Sequence, residues 1–359
     1  MIVFIFILCT LMFVPPAEAE IAPSEEDFSR VSELISAEDF DKWFSGGLVV
    51  AQKDQLYAQH FQGTDGAGEQ IDGETIFWLG SNSKMLTAAM VLQLAEEGKL
   101  RLEDPIGKHI PGWSETDLSK DGSVCTVEQL LSHQCGLPAN PPLNHYARLI
   151  DPIRREGIRE SYLEYVRTVP LLFAPANGYQ YSNLGYTLIA LMILELDDGT
   201  FDEIAQRRLF QPLALTNSGF EPSRIEAFEK TAAPLSVNIG GWSGKTSTWL
   251  GLDERSPSWL GAAGGGFSTP FEYATLISAL MSGPLLQPAS RERLVRPIVS
   301  SNKDGALNYA LGVGVEKIEG FTEYRHGGSA EPHGFSIHVR YLPALDLTSI
   351  VMSNRGVSV

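Results

Sequence analysis

The chain has 359 residues, 43% hydrophobic and 20% charged, which allows a large core and excludes a disordered or low-complexity protein. Its 44 acidic residues outweigh 27 basic ones, and the net charge of −17 argues against nucleic acid and anionic membrane as partners. Three cysteines and seven histidines show no zinc-type spacing, so no metal and no other cofactor is expected.

Residues 2–14 are an apolar stretch followed by Pro15-Pro16-Ala17-Glu18-Ala19. Such a stretch is short for a membrane span and suits the core of a signal peptide, with Ala17-Glu18-Ala19 as a small-x-small cleavage site. Residues 1–19 are therefore read as a signal peptide and the protein as exported, periplasmic or secreted. No Lys or Arg precedes the apolar run, so an uncleaved anchor stays open as the one route to membrane association.

Ser24 to Phe44 carries Phe28, Val31, Leu34 and Ile35 at helical spacing and reads as an amphipathic helix. Gly47–Ala51 and Leu56–Phe61 flank the polar turn Gln52–Gln55, which predicts a hairpin. Met85–Ala95 is an apolar run ended by Gly98, a buried helix. Gly107 to about Gln211 is mostly helical pieces joined by Pro/Gly loops, including an irregular loop at Pro138, Pro141 and Pro142 and a solid apolar helix from Tyr186 to Leu196. Within it, Thr126–Pro138 reads as a short helix running into Gly136, with His133 taken as a structural histidine. Cys125 and Cys135 either pair, as an oxidising compartment would permit, or stay buried thiols. Gly264-Gly265-Gly266 precedes a helix from Phe271 to Met281. Phe335, Ile337, Val339 and Tyr341 alternate with Ser336, His338 and Arg340, a half-buried strand, and Leu347–Met352 is another. Strands at both ends with helices between them predict an α+β fold: one antiparallel sheet built from both chain ends, flanked by helices, with a mostly helical lobe at roughly 100–215 inserted. Residues 20–359 are expected to form one catalytic domain, with its site in a cleft between the lobes.

Three segments carry chemistry. Ser81 and Lys84 stand three residues apart at the start of the Met85 helix, so they share one face of its first turn. A hydroxyl there gains from the helix dipole, and a lysine against an apolar helix loses proton affinity and can serve as a base. The plain alternative is a helix cap, and a second S-x-x-K at Ser300-Ser301-Asn302-Lys303 lacks an apolar helix and reads as a solvated loop. Tyr181-Ser182-Asn183 ends a loop and opens a helix; either it presents a phenol and an amide to a cleft, or Ser182 or Asn183 simply caps the helix. A tyrosine beside an ammonium can have a lowered pKa. Arg325-His326-Gly327-Gly328-Ser329 reads as a strand whose glycines mark either close backbone approach or a bend.

Together these segments resemble the serine β-lactamase and penicillin-binding-protein-like hydrolases, above all the class C β-lactamase, D-alanyl-D-alanine carboxypeptidase and family VIII esterase branch. Ser81-Asn82-Ser83-Lys84 matches the nucleophile motif, Tyr181-Ser182-Asn183 the Y-x-N motif, and His326-Gly327-Gly328 stands where the family has K-T-G, H-T-G or a variant. Leu94–Pro105, Leu130-Leu131-Ser132-His133 and Gly264–Thr269 match connecting segments, and the resemblance runs from about residue 28 to 354.

The resemblance implies that Ser81 forms an acyl-enzyme with a small-molecule acyl substrate (an ester, a β-lactam or a peptide). It further implies that Lys84 and Tyr181 share the general-base work and that Asn183 holds Lys84 or the substrate. The backbone N–H groups of Ser81 and Ser329 would form the oxyanion hole, beside Gly327 and Gly328, with His326 lining the cleft. A charged lysine and a hydroxyl at the third motif would bind a substrate carboxylate; His326 is at most partly charged near neutral pH and Gly327 has no hydroxyl. Arg325 points to the other strand face. Hydrolysis of small carboxylic esters is therefore expected. The alternatives are a class C-like β-lactamase, a D-alanyl-D-alanine carboxypeptidase, and a non-catalytic binding or assembly protein of the same fold. Family members continue into a helix packed on the sheet after the last strand, and the end at Val359 is expected to leave one sheet face exposed.

Overall fold

The computed structural model describes residues 44–53, 55–65, 68–140, 157–221, 258–301, 307–330 and 335–354. The expected signal peptide, all of the N-terminal helix but Phe44, and Pro141 and Pro142 of the loop lie outside them, as do Asn302 and Lys303 of the second S-x-x-K.

β-Branched and aliphatic residues in β1 (Gly46–Gln52) pair with β2 (Gln55–Gln62) across the expected turn. A two-residue strand, β3 (Phe77–Trp78), leads through a 3-10 turn, Gly80–Asn82, into α1 (Ser83–Glu96). β4 (Ser119–Lys120) and β5 (Ser123–Val124) make a small hairpin before α2 (Val127–Leu131), which Thr126 and Gln129 close with a capping box. Then come α3 (Ile158–Thr168), α4 (Asn183–Leu196) and α5 (Phe201–Ala205). β6 (Phe267–Ser268) pairs with β3 and precedes α6 (Pro270–Met281), whose cap is Thr269, and α7 (Pro288–Val295). The chain ends in β7 (Val299–Ser300), β8 (Leu307–Tyr309), β9 (Gly314–Ile318), β10 (Phe321–Ala330), β11 (Phe335–Leu342) and β12 (Leu347–Ser353).

Eight strands form one antiparallel sheet in the order β2-β1-β12-β11-β10-β9-β8-β7, so the two chain ends meet at β1 and β12. α6 packs across these two strands. α1 is buried on all sides, as its uninterrupted apolar sequence requires. It packs against α4, buried from Leu184 to Ile193, and the 3-10 segment Ser258–Ala263 packs on both. Among the described residues no helix is long and apolar enough to cross a membrane.

Two expectations are corrected. β11 is covered on both faces: Ser336 is 1% exposed and Arg340 7%, as buried as Ile337 and Val339 on the other side. Arg340 is held there by Glu323, with Nη1 3.0 Å from Oε2, so its charge is matched within the sheet. Only His338 on that face stays half-buried. Ser300 belongs to β7, paired with Asn308, rather than to a loop.

Candidate active site

Ser81 lies in the 3-10 turn between β3 and α1, not in the helix proper. Gly80 takes a left-handed φ of +51° to make that turn, a conformation cheap for glycine. The turn is anchored by Leu79 N–H donating to Gly266 O (2.7 Å) and Gly266 N–H to Ser83 Oγ (2.9 Å). Lys84, in the first turn of α1, is fully buried, and its Nζ lies 3.2 Å from Ser81 Oγ. It donates to Asn183 Oδ1 at 2.8 Å and to Ala263 O at 2.5 Å. Burial holds its pKa well below the ordinary lysine value.

The loop before α4 brings Tyr181 to the same point. Its phenol is near enough to Ser81 for that hydroxyl to act on its pKa, and its ring centroid lies 4.7 Å from Lys84 Nζ. Both sequence readings of this segment hold at once. Ser182 is the cap, its Oγ accepting from Gly185 N–H at 3.2 Å, while Tyr181 and Asn183 face Lys84. Asn183 is oriented in turn, its Nδ2 donating to Asn140 Oδ1 at 2.7 Å. The expected lowering of the Tyr181 pKa does not occur. Burial raises it, although the nearby Ser81 hydroxyl works the other way. The physical reason is that the same burial which desolvates the phenol also disfavours the ammonium meant to stabilise a phenolate.

β10 closes the site from the sheet side. A Cβ on Gly328 would lie 2.5 Å from Leu79 O and 3.1 Å from Ser81 N, so a glycine is what lets the strand approach the Ser81 turn. Ser329 follows it in the same strand, opposite Ser336. His326 is buried, its Nδ1 2.7 Å from Gly327 O and its Nε2 3.0 Å from Tyr309 Oη. A carbonyl only accepts, so Nδ1 carries the proton and Nε2 accepts from the Tyr309 hydroxyl. Burial first, then the field of Lys84, pushes the His326 pKa down to about 3, so the imidazole is neutral.

A cavity of about 310 Å³ opens beside Tyr181, lined by Tyr179, Tyr309, Arg325, His326 and His338 among others; Ser81 is not part of its lining. Arg325 pairs with Glu316 at 3.0 Å across the ladder, on the strand face expected for it. It nevertheless lines the same cavity as His326, at the point where the β9 ladder ends with the Arg325–Gly314 pair.

Sequence reasoning missed three contributors: Ala263, Tyr179 and Tyr309. Ala263 acts through a backbone carbonyl, which leaves no trace in residue type, and the two tyrosines belong to no recognisable spacing. Cys125 and Cys135, left open above, form a disulfide with a Cα–Cα distance of 5.3 Å. Among the described residues no group of three or more His, Cys, Asp or Glu is placed to hold a metal.

A buried helix carrying lysine, a serine in the turn before it, a tyrosine from a helical lobe and a glycine-bearing strand of the sheet define the serine β-lactamase and penicillin-binding-protein class of fold. A family model described as Beta-lactamase matches residues 31–359, and the chain belongs to that family of hydrolases. It is 26% identical over 306 residues to an Escherichia coli K12 protein carrying the name of a candidate D-alanyl-D-alanine carboxypeptidase, covering 75% of this chain and 68% of that one. Two solved structures share the fold. The octameric penicillin-binding protein homologue of Pyrococcus abyssi gives a TM-score of 0.71 at 20% identity, covering 91% of this chain and 72% of that one. The D-amino acid amidase of Ochrobactrum anthropi SV3 gives 0.70 at 18%, covering 93% and 92%.

Proposed function

We propose that the protein is a serine hydrolase that forms an acyl-enzyme on Ser81 and acts on small carboxylic esters or related acyl substrates. The observation that carries this reading is the buried Lys84 amine, 3.2 Å from Ser81 Oγ and pinned by two carbonyl oxygens. In its neutral form the amine gives its two N–H bonds to Asn183 Oδ1 and Ala263 O, which leaves the lone pair aimed at the Ser81 hydroxyl. Lys84 takes that proton as Ser81 Oγ attacks the substrate carbonyl, and the oxyanion sits between the N–H groups of Ser81 and Ser329. The leaving group departs with the proton from Lys84, relayed through the neutral Tyr181 hydroxyl. Water, deprotonated by Lys84, then releases the acid.

The preference for an ester rests on His326. Its neutral imidazole is committed to Gly327 O and Tyr309, so it offers no charge to a substrate carboxylate. Arg325 is already paired with Glu316. The second reading, a D-alanyl-D-alanine carboxypeptidase, is favoured by the name of the Escherichia coli relative. Export is part of the proposal, supported by the Cys125–Cys135 disulfide, which suits an oxidising compartment.

Intact mass spectrometry of wild type and Ser81→Ala tests this, after exposure to an activated short-chain ester, a fluorescent penicillin and a peptide ending in D-Ala-D-Ala, with turnover followed in parallel. Ester turnover that falls at least about 10³-fold in Ser81→Ala is the expected result. A lasting penicillin adduct with release of D-Ala would move the assignment to the carboxypeptidase. No adduct and no turnover by folded wild type would overturn the acyl-enzyme reading.

A further inference from the structure

His133 was expected to be a structural histidine, and its surroundings give it a more specific task. It follows α2 with a left-handed φ of +62°, unusual for a residue with a Cβ. Its two acceptors grip the chain on either side of Tyr181: the backbone oxygen accepts from Gln180 N–H at 3.0 Å, and ring Nδ1 accepts from Ser182 N–H at 3.1 Å. The imidazole lies against the Tyr181 ring at a centroid distance of 4.4 Å. Because Nδ1 is an acceptor, the ring proton is on Nε2. Nε2 is buried with no hydrogen-bond partner among the described residues and sits among Tyr186 and Tyr309, whose ring centroids are 5.2 and 5.0 Å from the imidazole. Burial keeps the imidazole neutral by pushing its pKa well below the usual histidine value.

The base of this grip is covalent. Cys125 precedes α2 and Cys135 follows His133 by two residues, so the disulfide closes the segment that carries the histidine. The segment continues the same contact beyond it: Gln134 O accepts from Ala176 N–H at 3.0 Å and Gly136 O from Leu172 N–H at 2.8 Å. A Cβ on Gly136 would lie 2.3 Å from Phe173 O.

We infer that His133 is a positioning residue for the reaction, clamping the backbone at Gln180 and Ser182 so that Tyr181 is kept beside Lys84 and Ser81, with the Cys125–Cys135 disulfide fixing the clamp. This rests on the catalytic role proposed above for Tyr181.

The test compares His133→Ala with His133→Asn. Asparagine tolerates the left-handed backbone and offers an oxygen near the place of Nδ1, whereas alanine offers neither. With both variants folded by near-ultraviolet circular dichroism, His133→Ala is expected to lower kcat for an activated ester about 10–100-fold with KM moved less than about threefold, and His133→Asn to recover kcat to within about fivefold of wild type. A second readout does not depend on turnover: the Tyr181 signal among the 11 ring-¹³C-labelled tyrosines, assigned with Tyr181→Phe. It is expected to shift or broaden in His133→Ala and to return in His133→Asn. A Tyr181 signal unchanged in His133→Ala, or equal loss of kcat in both variants, would overturn the clamp. Wild type that turns nothing over while the signal still follows the clamp would instead count against the catalytic role of Tyr181 and leave the clamp standing.

Discussion

Lys84 has no exposed surface, and burial holds its pKa well below the ordinary lysine value even with three oxygens around its nitrogen. The base must be unprotonated to work, so kcat/KM is expected to rise with pH through a limb that belongs to Lys84 and lies well below the ordinary lysine range. Tyr181 titrates above its ordinary value and stays neutral across the same range. Tyr181→Phe is therefore expected to lower kcat and leave the limb where it is, while Lys84→Met lowers kcat about 10²–10⁴-fold. The pH–rate profiles of wild type and Tyr181→Phe check this; a limb that disappears with the phenol would make tyrosine the base.

At the scale of elements, the site depends on how closely β10 can approach the Ser81 turn. Gly328→Ala places a methyl 2.5 Å from a backbone oxygen that cannot move aside without disturbing β3. We expect a loss of about 1–3 kcal/mol in stability and a larger proportional loss of activity, read by denaturant unfolding and ester turnover. The α2 segment is the other closely specified element. The loop its disulfide closes spans a separation of 10 residues. Replacing both Cys125 and Cys135 by alanine is expected to cost about 2–3 kcal/mol, on the chain-entropy account. Equal unfolding midpoints for the double variant and the oxidised wild type would refute that figure.

At the scale of the molecule, burial is the main cause that keeps three of the described histidines neutral. His326 is held at about 3 and His338 at about 4, both by burial first, and His133 well below its usual value for the same reason. In the unfolded chain they protonate near 6.5. Below that pH the unfolded state binds protons that the folded state refuses, so stability falls with acidification; above it the three make no difference. The slope approaches about 1.4 kcal/mol per pH unit for each histidine between roughly pH 6 and 5, above the range where most carboxylates titrate. Urea unfolding at pH 7, 6 and 5 measures it, and His338→Gln is expected to reduce the slope by about one histidine's share.

Much of this protein could be read from local pattern. Alternation in β11, the apolar run of α1 and the turn between β1 and β2 each report a neighbourhood that the chain carries with it, because side-chain period and turn chemistry are local properties. Ser81 and Lys84 were legible for the same reason, three residues apart on one turn. Tyr181, Asn183 and His326–Ser329 were legible only as motifs, since nothing in a linear spacing says which of them meet. Tertiary structure alone decided the rest. It covered the polar face of β11, which alternation had marked for solvent. It brought Ala263 O to Lys84 and Tyr309 to His326, contacts between residues far apart in the chain that carry no signature in residue type. It also set the charges: burial raised Tyr181 and lowered Lys84 and His326. Proton affinity depends on how completely water is excluded, and that is a property of the packed whole rather than of any segment.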